Sequence, residues 1–331
     1  MSEDKISRSG NWRGNNTRGR GNRGRGRGQG RGGYKSFNTS WKPKDGQESI
    51  DESKKIERAA RFGESNKFGA EEYGFVSRGE DDRLQRSSKE REKFFDKIIR
   101  KFIAYCESND TSTLSKELKR FTEDHQSDEK IKNVTMDSIL SSLRKLRESM
   151  INGKCDKFTV KVFLFSIRIS ANIGHYQTYL PSIHFLLQQQ DQELLQKPEK
   201  REIVTLLILH LSHFSKNNLK AFKEYFEYFK DEEDPTLLRT LKSWSTKDCF
   251  NWIRLYNNEN DSAKSTIMRF GINAIIERMI QTINVSYFHL DLDYLNRSLP
   301  NGITFDNLQK NHNVTWKVEG KNLIIRERKV K

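Results

Sequence analysis

The residues best suited to chemistry in this sequence are arginines that alternate with glycines near the N-terminus. An arginine guanidinium is a planar fork that binds phosphate and stacks on the face of a base. Aromatic side chains among these arginines add stacking faces, and this combination is typical of sequence-tolerant binding to single-stranded nucleic acid. The pattern therefore predicts RNA contacts by Trp12, Tyr34, Arg13, Arg18, Arg20, Arg23, Arg25, Arg27 and Arg31.

Positive charge is concentrated in the same stretch. The chain of 331 residues has a formal net charge of +15, and residues 1–44 hold twelve basic and two acidic residues. Ten of the 20 glycines fall between Gly10 and Gly33. Because glycine is costly to order and like charges repel, residues 1–49 are predicted to be a disordered tail. The alternative is a solubilising tail that has no specific partner.

A short helix is predicted within a linker, residues 50–90. Residues 54–63 read Lys-Lys-Ile-Glu-Arg-Ala-Ala-Arg-Phe-Gly, and the final glycine is a signal for the end of a helix. The apolar surface of this segment is too small for a stable isolated helix. We therefore predict that it folds on a partner through Arg58, Arg61 and Phe62, with a chance basic helix as the alternative. The sequence leaves the order of the rest of the linker open.

The body, residues 91–285, has the periodicity of amphipathic helices. Apolar residues recur every four positions, as in Phe94, Ile98 and Phe102. Residues 158–173 are apolar nearly all round, which predicts a buried helix. Helices of roughly 10–20 residues with short connections favour a mainly α fold, a helical-repeat superhelix without a strict internal period.

The last segment, residues 286–331, changes to a period of two. Val314, Trp316 and Val318 alternate with polar residues, and a turn follows before a second alternating run, which predicts a β-hairpin. Short helices before this hairpin make the segment a winged-helix-like module. Its basic residues are a candidate second nucleic-acid surface or, alternatively, a solvated strand face that protects a sheet edge. They are Lys317, Lys321, Arg326, Arg328 and Lys329.

Catalytic and metal-binding motifs are missing from the sequence. It has no GxGxxG, no GxxxxGK[ST] and no HExxH pattern. His210 and His213 are three residues apart on a predicted helix, but no local cysteine or acidic residue completes a metal site, so a half-buried structural pair is the preferred interpretation. No apolar run approaches the roughly 20 residues of a membrane helix. We therefore predict a protein that is not an enzyme and has no catalytic residues, cofactor, metal or membrane contact.

Three resemblances sharpen these expectations. The arginine–glycine run resembles the RGG boxes of RNA-binding proteins, which implies arginine methylation as well. The string Arg-Ala-Ala-Arg-Phe-Gly, residues 58–63, resembles the RAxRFG motifs of Tho-one/SARNP-type mRNA-export proteins. In that family such helices contact a DEAD-box RNA helicase, so the resemblance implies that Arg58, Arg61 and Phe62 make this contact.

The third resemblance is to the PCI family of scaffold proteins and its Sac-three/GANP-like mRNA-export branch. It is carried by residues 176–181, 295–300 and 314–320. It implies a helical superhelix capped by a winged helix that contacts other subunits of a multiprotein complex and sometimes nucleic acid, without a reaction. Members from the proteasome lid and initiation factors generally lack an RGG box, so the tail favours RNA metabolism.

These observations leave three functional interpretations. The preferred one is an RNA-binding scaffold of nuclear mRNA processing or export, located in the nucleus with or without a cytoplasmic fraction. The second is a structural PCI subunit of a cytoplasmic translation or proteasome-type complex. The third is a ribosome-assembly factor that uses the same basic tail.

Overall fold

The computed structural model describes residues 72–109, 134–189 and 194–327, together with Thr111, Leu114, Lys116, residues 118–122 and His125. The predicted tail and the short helix at residues 54–63 lie outside this part of the chain. The described residues are mainly helical, which confirms the expectation from their periodicity.

The helices of the body lie close to where the apolar periodicity predicts them. A 3₁₀ turn precedes them at Val76–Arg78, a π-helical turn continues α7 at His210–Phe214, and a 3₁₀ turn at Arg269–Gly271 precedes α12. The helices are α1 (Arg83–Arg86), α2 (Ser88–Ser108), α3 (Lys119–Thr122), α4 (Met136–Met150), α5 (Lys157–Asn172), α6 (Tyr176–Leu187), α7 (Lys197–Leu209), α8 (Asn218–Tyr228), α9 (Pro235–Thr246), α10 (Cys249–Asn257), α11 (Ser262–Met268) and α12 (Ile272–Ser286).

Short polar side chains begin several of these helices. The Asp156 carboxylate accepts a hydrogen bond from the Thr159 amide at 2.7 Å, and so satisfies one of the orphan amides at the start of α5. Asp234 caps α9 in the same way, and Pro235 takes the first helical position, where a missing N–H costs nothing. The sequence therefore encodes the start of a helix locally, through the cap and the proline.

The core of the body is built around α5, which the sequence predicts to be buried. Helix α5 packs against α4, α6 and the distant α11. Its Phe165 is fully buried and meets the rings of Phe95, Phe102 and Phe121 at centroid distances of 5.2–5.6 Å. These ring contacts hold α2 and α3 against the buried helix α5.

Residues 72–90 differ from the predicted linker, because they pack onto the body. Tyr73 is buried against Phe94, with ring centroids 4.6 Å apart, and Leu84 is buried as well. Helix α1 contacts both α2 and α4. Within the described residues, the folded body therefore begins before residue 91.

The C-terminal module contains the predicted hairpin and a third strand that the sequence analysis does not predict. After α12 come β1 (His289–Asp291), α13 (Leu292–Arg297), α14 (Phe305–His312), β2 (Lys317–Glu319) and β3 (Asn322–Ile324). The sheet is antiparallel with the order β1-β3-β2, so β3 lies in the centre. Strand β1 pairs with β3, which lies more than 30 positions further along the chain, so no local turn marks it as part of a sheet.

Trp316 is the largest of the buried side chains in this module, which also include Phe305, Leu308 and Leu323. Trp316 is buried, its ring stacks with that of Phe305 at 6.2 Å, and its Nε1 donates a hydrogen bond to Asn284 Oδ1 at 2.7 Å. The alternating pattern places Val318 on the same face, but its side chain is half exposed because β2 is an edge strand.

Candidate nucleic-acid interface

The predicted second nucleic-acid surface is described for Lys317, Lys321 and Arg326, whereas Arg328 and Lys329 lie outside the described residues. Lys317 Nζ lies 3.2 Å from Glu327 Oε1. The Arg326 guanidinium donates to the Val285 carbonyl at 2.8 Å and lies 4.2 Å from the centroid of the Phe288 ring. Lys317 and Arg326, two of the three basic residues described here, are therefore already engaged by neighbouring groups of the chain.

This arrangement limits the positive potential of the described hairpin. Glu319 and Glu327 are exposed among the basic side chains. An exposed ion pair such as that of Lys317 contributes less than about 1 kcal/mol, so a phosphate group can compete for the lysine at little cost. The described part of the hairpin thus offers exchangeable cations but no concentrated basic patch.

The other predicted site residues cannot be placed in the fold. The aromatic and arginine side chains of the tail, and Arg58, Arg61 and Phe62 of the short helix, lie outside the described residues. The structure therefore brings together three members of the hairpin set and leaves the RNA and helicase contacts as expectations from the sequence.

A second basic surface comes from a segment that we call the strap, residues 72–82. The strap is held by Arg83, whose guanidinium bonds both carboxylate oxygens of Asp81 at 2.7–3.1 Å and the Glu72 carbonyl at 2.6 Å. Gly74 is required for close approach, because a Cβ there would lie 2.6 Å from the Glu80 Cβ. The strap therefore closes on itself as an ordered loop against α2 and α4.

The strap presents Phe75 to several cations. Arg78 lies 4.7 Å, Lys145 5.1 Å and Arg144 5.5 Å from the centroid of this ring. Lys97 and Lys101 on α2 extend the positive charge towards Lys145, because both Lys97 and Lys145 lie close enough to Lys101 to lower its pKa. We call this group of Phe75, Arg78, Lys97, Lys101, Arg144 and Lys145 the strap patch.

Burial and neighbouring positive charges lower the pKa values of two basic residues, Lys101 and Arg147. Burial and then repulsion from Lys97 lower the pKa of Lys101, and Lys145 acts in the same direction. Arg147, three residues after Arg144 on α4, is buried, and burial followed by repulsion from Arg144 lowers its pKa to about 10. Its Nη1 donates to the Ser182 hydroxyl at 2.5 Å, a neutral partner that leaves the charge in place.

The tyrosine of the strap has a structural role. The Tyr73 hydroxyl donates a hydrogen bond to Glu90 Oε2 at 2.5 Å, and burial together with this bond raises the pKa of Tyr73 to about 12. Arg83 lies over its ring at 4.7 Å. Tyr73 therefore fixes the start of the strap and leaves Phe75 as the residue that is presented outward.

Sequence reasoning missed the strap patch because its members are far apart in the chain. Phe75 and Lys145 meet only when the strap lies across α4. One local signal was present: Lys97 and Lys101 are four residues apart on one helix, an arrangement of like charges that costs a few tenths of a kcal/mol. That spacing marks one face of α2 as positively charged.

The two histidines considered as metal ligands are buried rather than half-buried, and they point to different partners. Trp252 Nε1 donates to His213 Nε2 at 2.9 Å, and His213 Nδ1 lies 3.0 Å from the Leu209 carbonyl. His210 Nδ1 lies 2.8 Å from the Tyr179 hydroxyl. Burial lowers the pKa of each histidine to about 4. Both rings are thus neutral core groups.

Two further findings concern only the described part of the chain. No group of three or more histidine, cysteine, aspartate or glutamate side chains is arranged to hold a metal ion there. None of the helices described there has both the length and the apolar character needed to cross a membrane.

Comparison with known proteins gives no relative from which a role could be carried over. No model of a known protein family matches the chain. The search of curated proteins likewise finds no match.

Proposed function

We propose that this chain is a non-enzymatic RNA-binding scaffold of nuclear mRNA processing or export. In this proposal the arginine-rich tail holds RNA, and the helix at residues 54–63 recruits a DEAD-box helicase. The helical body is a PCI-like superhelix, and the C-terminal module is a winged helix that docks other subunits of a multiprotein complex.

The observation that carries the proposal is the order of elements in the C-terminal module. Helix α12, strand β1, helices α13 and α14 and the hairpin β2–β3 follow one another in the chain. Helices followed by a two-stranded wing are the parts of a winged helix, and β1 completes a small sheet beside them. A stack of helices that leads into such a module supports the PCI-like architecture.

The packing of the body supports the superhelix within this proposal. Each helix from α4 to α9 packs against the next one along the chain, and α10 packs against α12. Neighbour-on-neighbour packing is how helical pairs build an extended solenoid with a long binding surface. Helix α11 departs from this simple order, because it packs back onto α5 and α7.

The composition of the tail is the reason to prefer RNA metabolism over the alternatives. Two thirds of the net positive charge lies in residues 1–44, where arginines alternate with glycines. A structural subunit of a translation or proteasome-type complex does not need such a segment. A ribosome-assembly factor does need an RNA-binding segment of this kind. The class of RNA that the chain binds therefore distinguishes a ribosome-assembly factor from a scaffold of mRNA processing or export.

A pull-down from nuclease-treated extract tests the partner. The intact chain is compared with a variant that carries Arg58→Ala, Arg61→Ala and Phe62→Ala. We expect the intact chain to recover a DEAD-box helicase and the variant to lose it. The double substitution Lys54→Ala and Lys55→Ala is a matched control, because it removes two charges from the same helix but leaves the motif intact.

The outcome of this experiment separates the interpretations. Recovery of lid or initiation-factor subunits by both forms alike would contradict helicase recruitment and favour the structural subunit. Recovery of pre-ribosomal particles before nuclease treatment would favour the assembly factor.

Binding to single-stranded RNA at several salt concentrations tests the tail. Each phosphate contact that releases counterions adds about 0.7 to the slope of log affinity against log salt. Deleting residues 1–44 should therefore weaken binding strongly and flatten the slope by several units. An unchanged slope would mean that the tail does not hold the RNA.

A further inference from the structure

We propose that three neighbouring rings of the helical body form a stacking site for a base of single-stranded RNA. The rings are those of Tyr176, Phe214 and Phe270, and we call them the ring platform. This inference rests on the proposed RNA-binding function and gives the folded body a direct part in it. The site involves neither the tail nor the strap patch nor the C-terminal hairpin.

The fold assembles the ring platform from three distant parts of the chain. Tyr176 begins α6, Phe214 ends the π-helical turn that continues α7, and Phe270 lies in the 3₁₀ turn before α12. The ring centroid of Phe214 lies 4.5 Å from that of Tyr176 and 5.1 Å from that of Phe270. Because the rings already contact one another, little further ordering is needed when a ligand stacks on them.

Phe214 owes its position to an unusual backbone conformation. The Ser215 amide donates a hydrogen bond to the His210 carbonyl at 3.0 Å, five residues back, as in a π-helix. The imidazole of His210 stacks on the Phe214 ring at a centroid distance of 4.9 Å. Lys216 then adopts a φ of 54°, which residues other than glycine seldom do. π-helical turns are frequent at functional sites, and this one brings a ring and a cation to the surface together.

The ring platform is open to solvent and small. Phe214 and Phe270 are each 38% exposed, and Tyr176 is half-buried. Full burial of a phenylalanine covers about 150–250 Å², so the two exposed rings offer about 110–190 Å² of apolar surface. Each partner of a stable protein complex buries about 800 Å². The platform therefore matches the face of a base better than the surface of a folded protein.

Two cations flank the rings. Lys216 follows Phe214 by two residues, and Arg269 directly precedes Phe270. Both basic side chains are exposed, and no carboxylate among the described residues lies within ion-pair distance of either. A phosphate that binds these two cations therefore displaces no existing ion pair.

The stretches of chain that supply the rings carry only positive charge. Residues 170–189, 203–223 and 262–276 contain no aspartate or glutamate. Their lysines and arginines are Lys216, Lys220, Lys223, Lys264 and Arg269.

Carboxylates occur at the borders of this region. Those closest to a ring in sequence, Glu277, Asp261 and Glu224, are seven, nine and ten residues away. Asp261 caps α11, and Asp248, which follows the neighbouring α9, caps α10. With Lys247, which directly precedes Asp248, the six basic residues of the region outnumber these four carboxylates.

A single nucleotide offers both groups that this arrangement can bind. Its base can stack on an aromatic ring, whichever base it is, and its phosphate can accept hydrogen bonds from Arg269 or Lys216. An apolar partner would use the rings and leave the cations unused. An acidic peptide that carries an apolar side chain is the alternative occupant, and the experiment separates it from RNA.

The experiment uses the full chain and a fluorescent oligoadenylate of about 30 nucleotides, which is longer than the roughly 4–16 nucleotides that one single-strand module covers. A second probe is an abasic strand of the same length and charge. The ring variant carries Phe214→Leu and Phe270→Leu, which keep apolar side chains but remove the aromatic faces. Its matched control carries Phe226→Leu, which removes an exposed ring from α8.

We expect the ring variant to bind the oligoadenylate at least about fivefold more weakly, which is the lower end of the range for one stacked base. Its binding to the abasic strand should not change, and the control should bind both probes as the unaltered chain does. An unchanged affinity of the ring variant for the oligoadenylate would overturn the proposal. So would an equal loss of affinity for the abasic strand, because stacking would then not be the cause.

A charge variant decides the question even where the loss of two rings destabilises the body. It carries Arg269→Gln and Lys216→Asn, since asparagine suits the left-handed backbone. Its control carries Lys157→Gln and Arg239→Gln, which remove the same charges from exposed positions of α5 and α9. We expect the charge variant alone to lose about 1.4 from the slope of log affinity against log salt, which corresponds to two phosphate contacts. Equal slopes for variant and control would contradict the proposal.

Three further outcomes separate this site from the proposed function. If deletion of residues 1–44 weakens RNA binding while the ring and charge variants bind as the unaltered chain does, the proposed function stands without the ring platform. If the unaltered chain binds neither strand, both proposals fall. If both variants keep their full affinity for RNA but lose binding to polyglutamate, the platform binds acidic protein and the RNA proposal falls.

Discussion

The centre of the body and the C-terminal module both bury tryptophan, yet they surround it very differently. Trp252 in the body is fully buried, stacks on Tyr256 at 5.3 Å and also lies beside His213 and Trp244. Trp316 in the module has one stacked ring and one hydrogen bond. The body therefore surrounds its tryptophan with several rings, one of them titratable, whereas the tryptophan of the module has one ring and one hydrogen-bond partner beside it.

Substituting Trp316 with alanine should have the largest effect. Loss of a buried tryptophan costs about 3–5 kcal/mol, and Trp316 is the largest of the buried side chains in the module. Hydrogen exchange measured by mass spectrometry should show the loss of protection in residues 288–327 while α5 stays protected. Trp316→Phe keeps a ring but loses the bond to Asn284, so it should cost about 1 kcal/mol beyond repacking. Unchanged exchange in Trp316→Ala would contradict the dependence on this side chain.

Acid should affect the body more than the module. The pKa values of His210 and His213 lie at about 4, below their ordinary value of 6.5, so the stability from their neutral forms is present above pH 6.5. It is lost as the pH falls from 6.5 towards 4, because the unfolded chain takes up protons first. At pH 5 the expected loss is about 2 kcal/mol for each ring.

Urea unfolding at pH 7 and pH 5 measures this effect. The free energy of unfolding should fall by about 4 kcal/mol for the pair if both rings stay neutral in the folded chain. Protonation of His213 must also break the bond from Trp252, whose indole N–H can only donate. Equal free energies of unfolding at the two pH values would show that folding does not lower the pKa values of His210 and His213.

Two glycines, one in the body and one in the module, allow the two regions to be compared through smaller changes in stability. A Cβ on Gly271 would lie 2.5 Å from Trp244 Cζ3 and 3.1 Å from His213 Cδ2, so Gly271→Ala should cost about 1–3 kcal/mol through overpacking of the body. Gly302 in the module has open space but a φ of 82°. Gly302→Ala should therefore cost about 1–2 kcal/mol through backbone strain, and Gly302→Asn should recover part of it. Thermal melting of the three variants checks both causes.

The smallest effect should come from the helix caps, which both regions use alike. The Asp291 carboxylate accepts from the Tyr294 amide at 2.6 Å in the module, and Asp156 accepts from the Thr159 amide at 2.7 Å in the body. Alanine at either position should cost about 1 kcal/mol. A much larger cost at Asp291, measured by denaturation, would indicate that this residue does more than cap α13.

Local patterns predicted the elements of this fold well. The four-residue spacing of apolar side chains predicted α2, the run that is apolar nearly all round predicted α5, and a period of two predicted the hairpin. A short polar residue at the start of a helix is also a local signal, and Asp291 caps α13 in this way. These predictions succeed because period and capping involve residues within one turn or one strand pair.

The candidate sites were harder to predict. Lys317, Lys321 and Arg326 lie on the module as expected, but their engagement with Glu327, Val285 and Phe288 depends on the arrangement of the sheet against α12. The strap patch was not predicted at all. Its cations come from three separate elements, and no short-range pattern records such a meeting.

The sequence by itself determined which segments are helical, where many helices begin and where charge is concentrated, because these properties depend on neighbours along the chain. Only the tertiary structure decided that residues 72–87 belong to the folded body, that β1 joins β3, and that Arg147 is buried with its charge. The physical reason is that burial and strand pairing depend on which surfaces meet. The residues that these contacts bring together are about 30 to 70 positions apart in the chain, as Phe75 and Lys145 are.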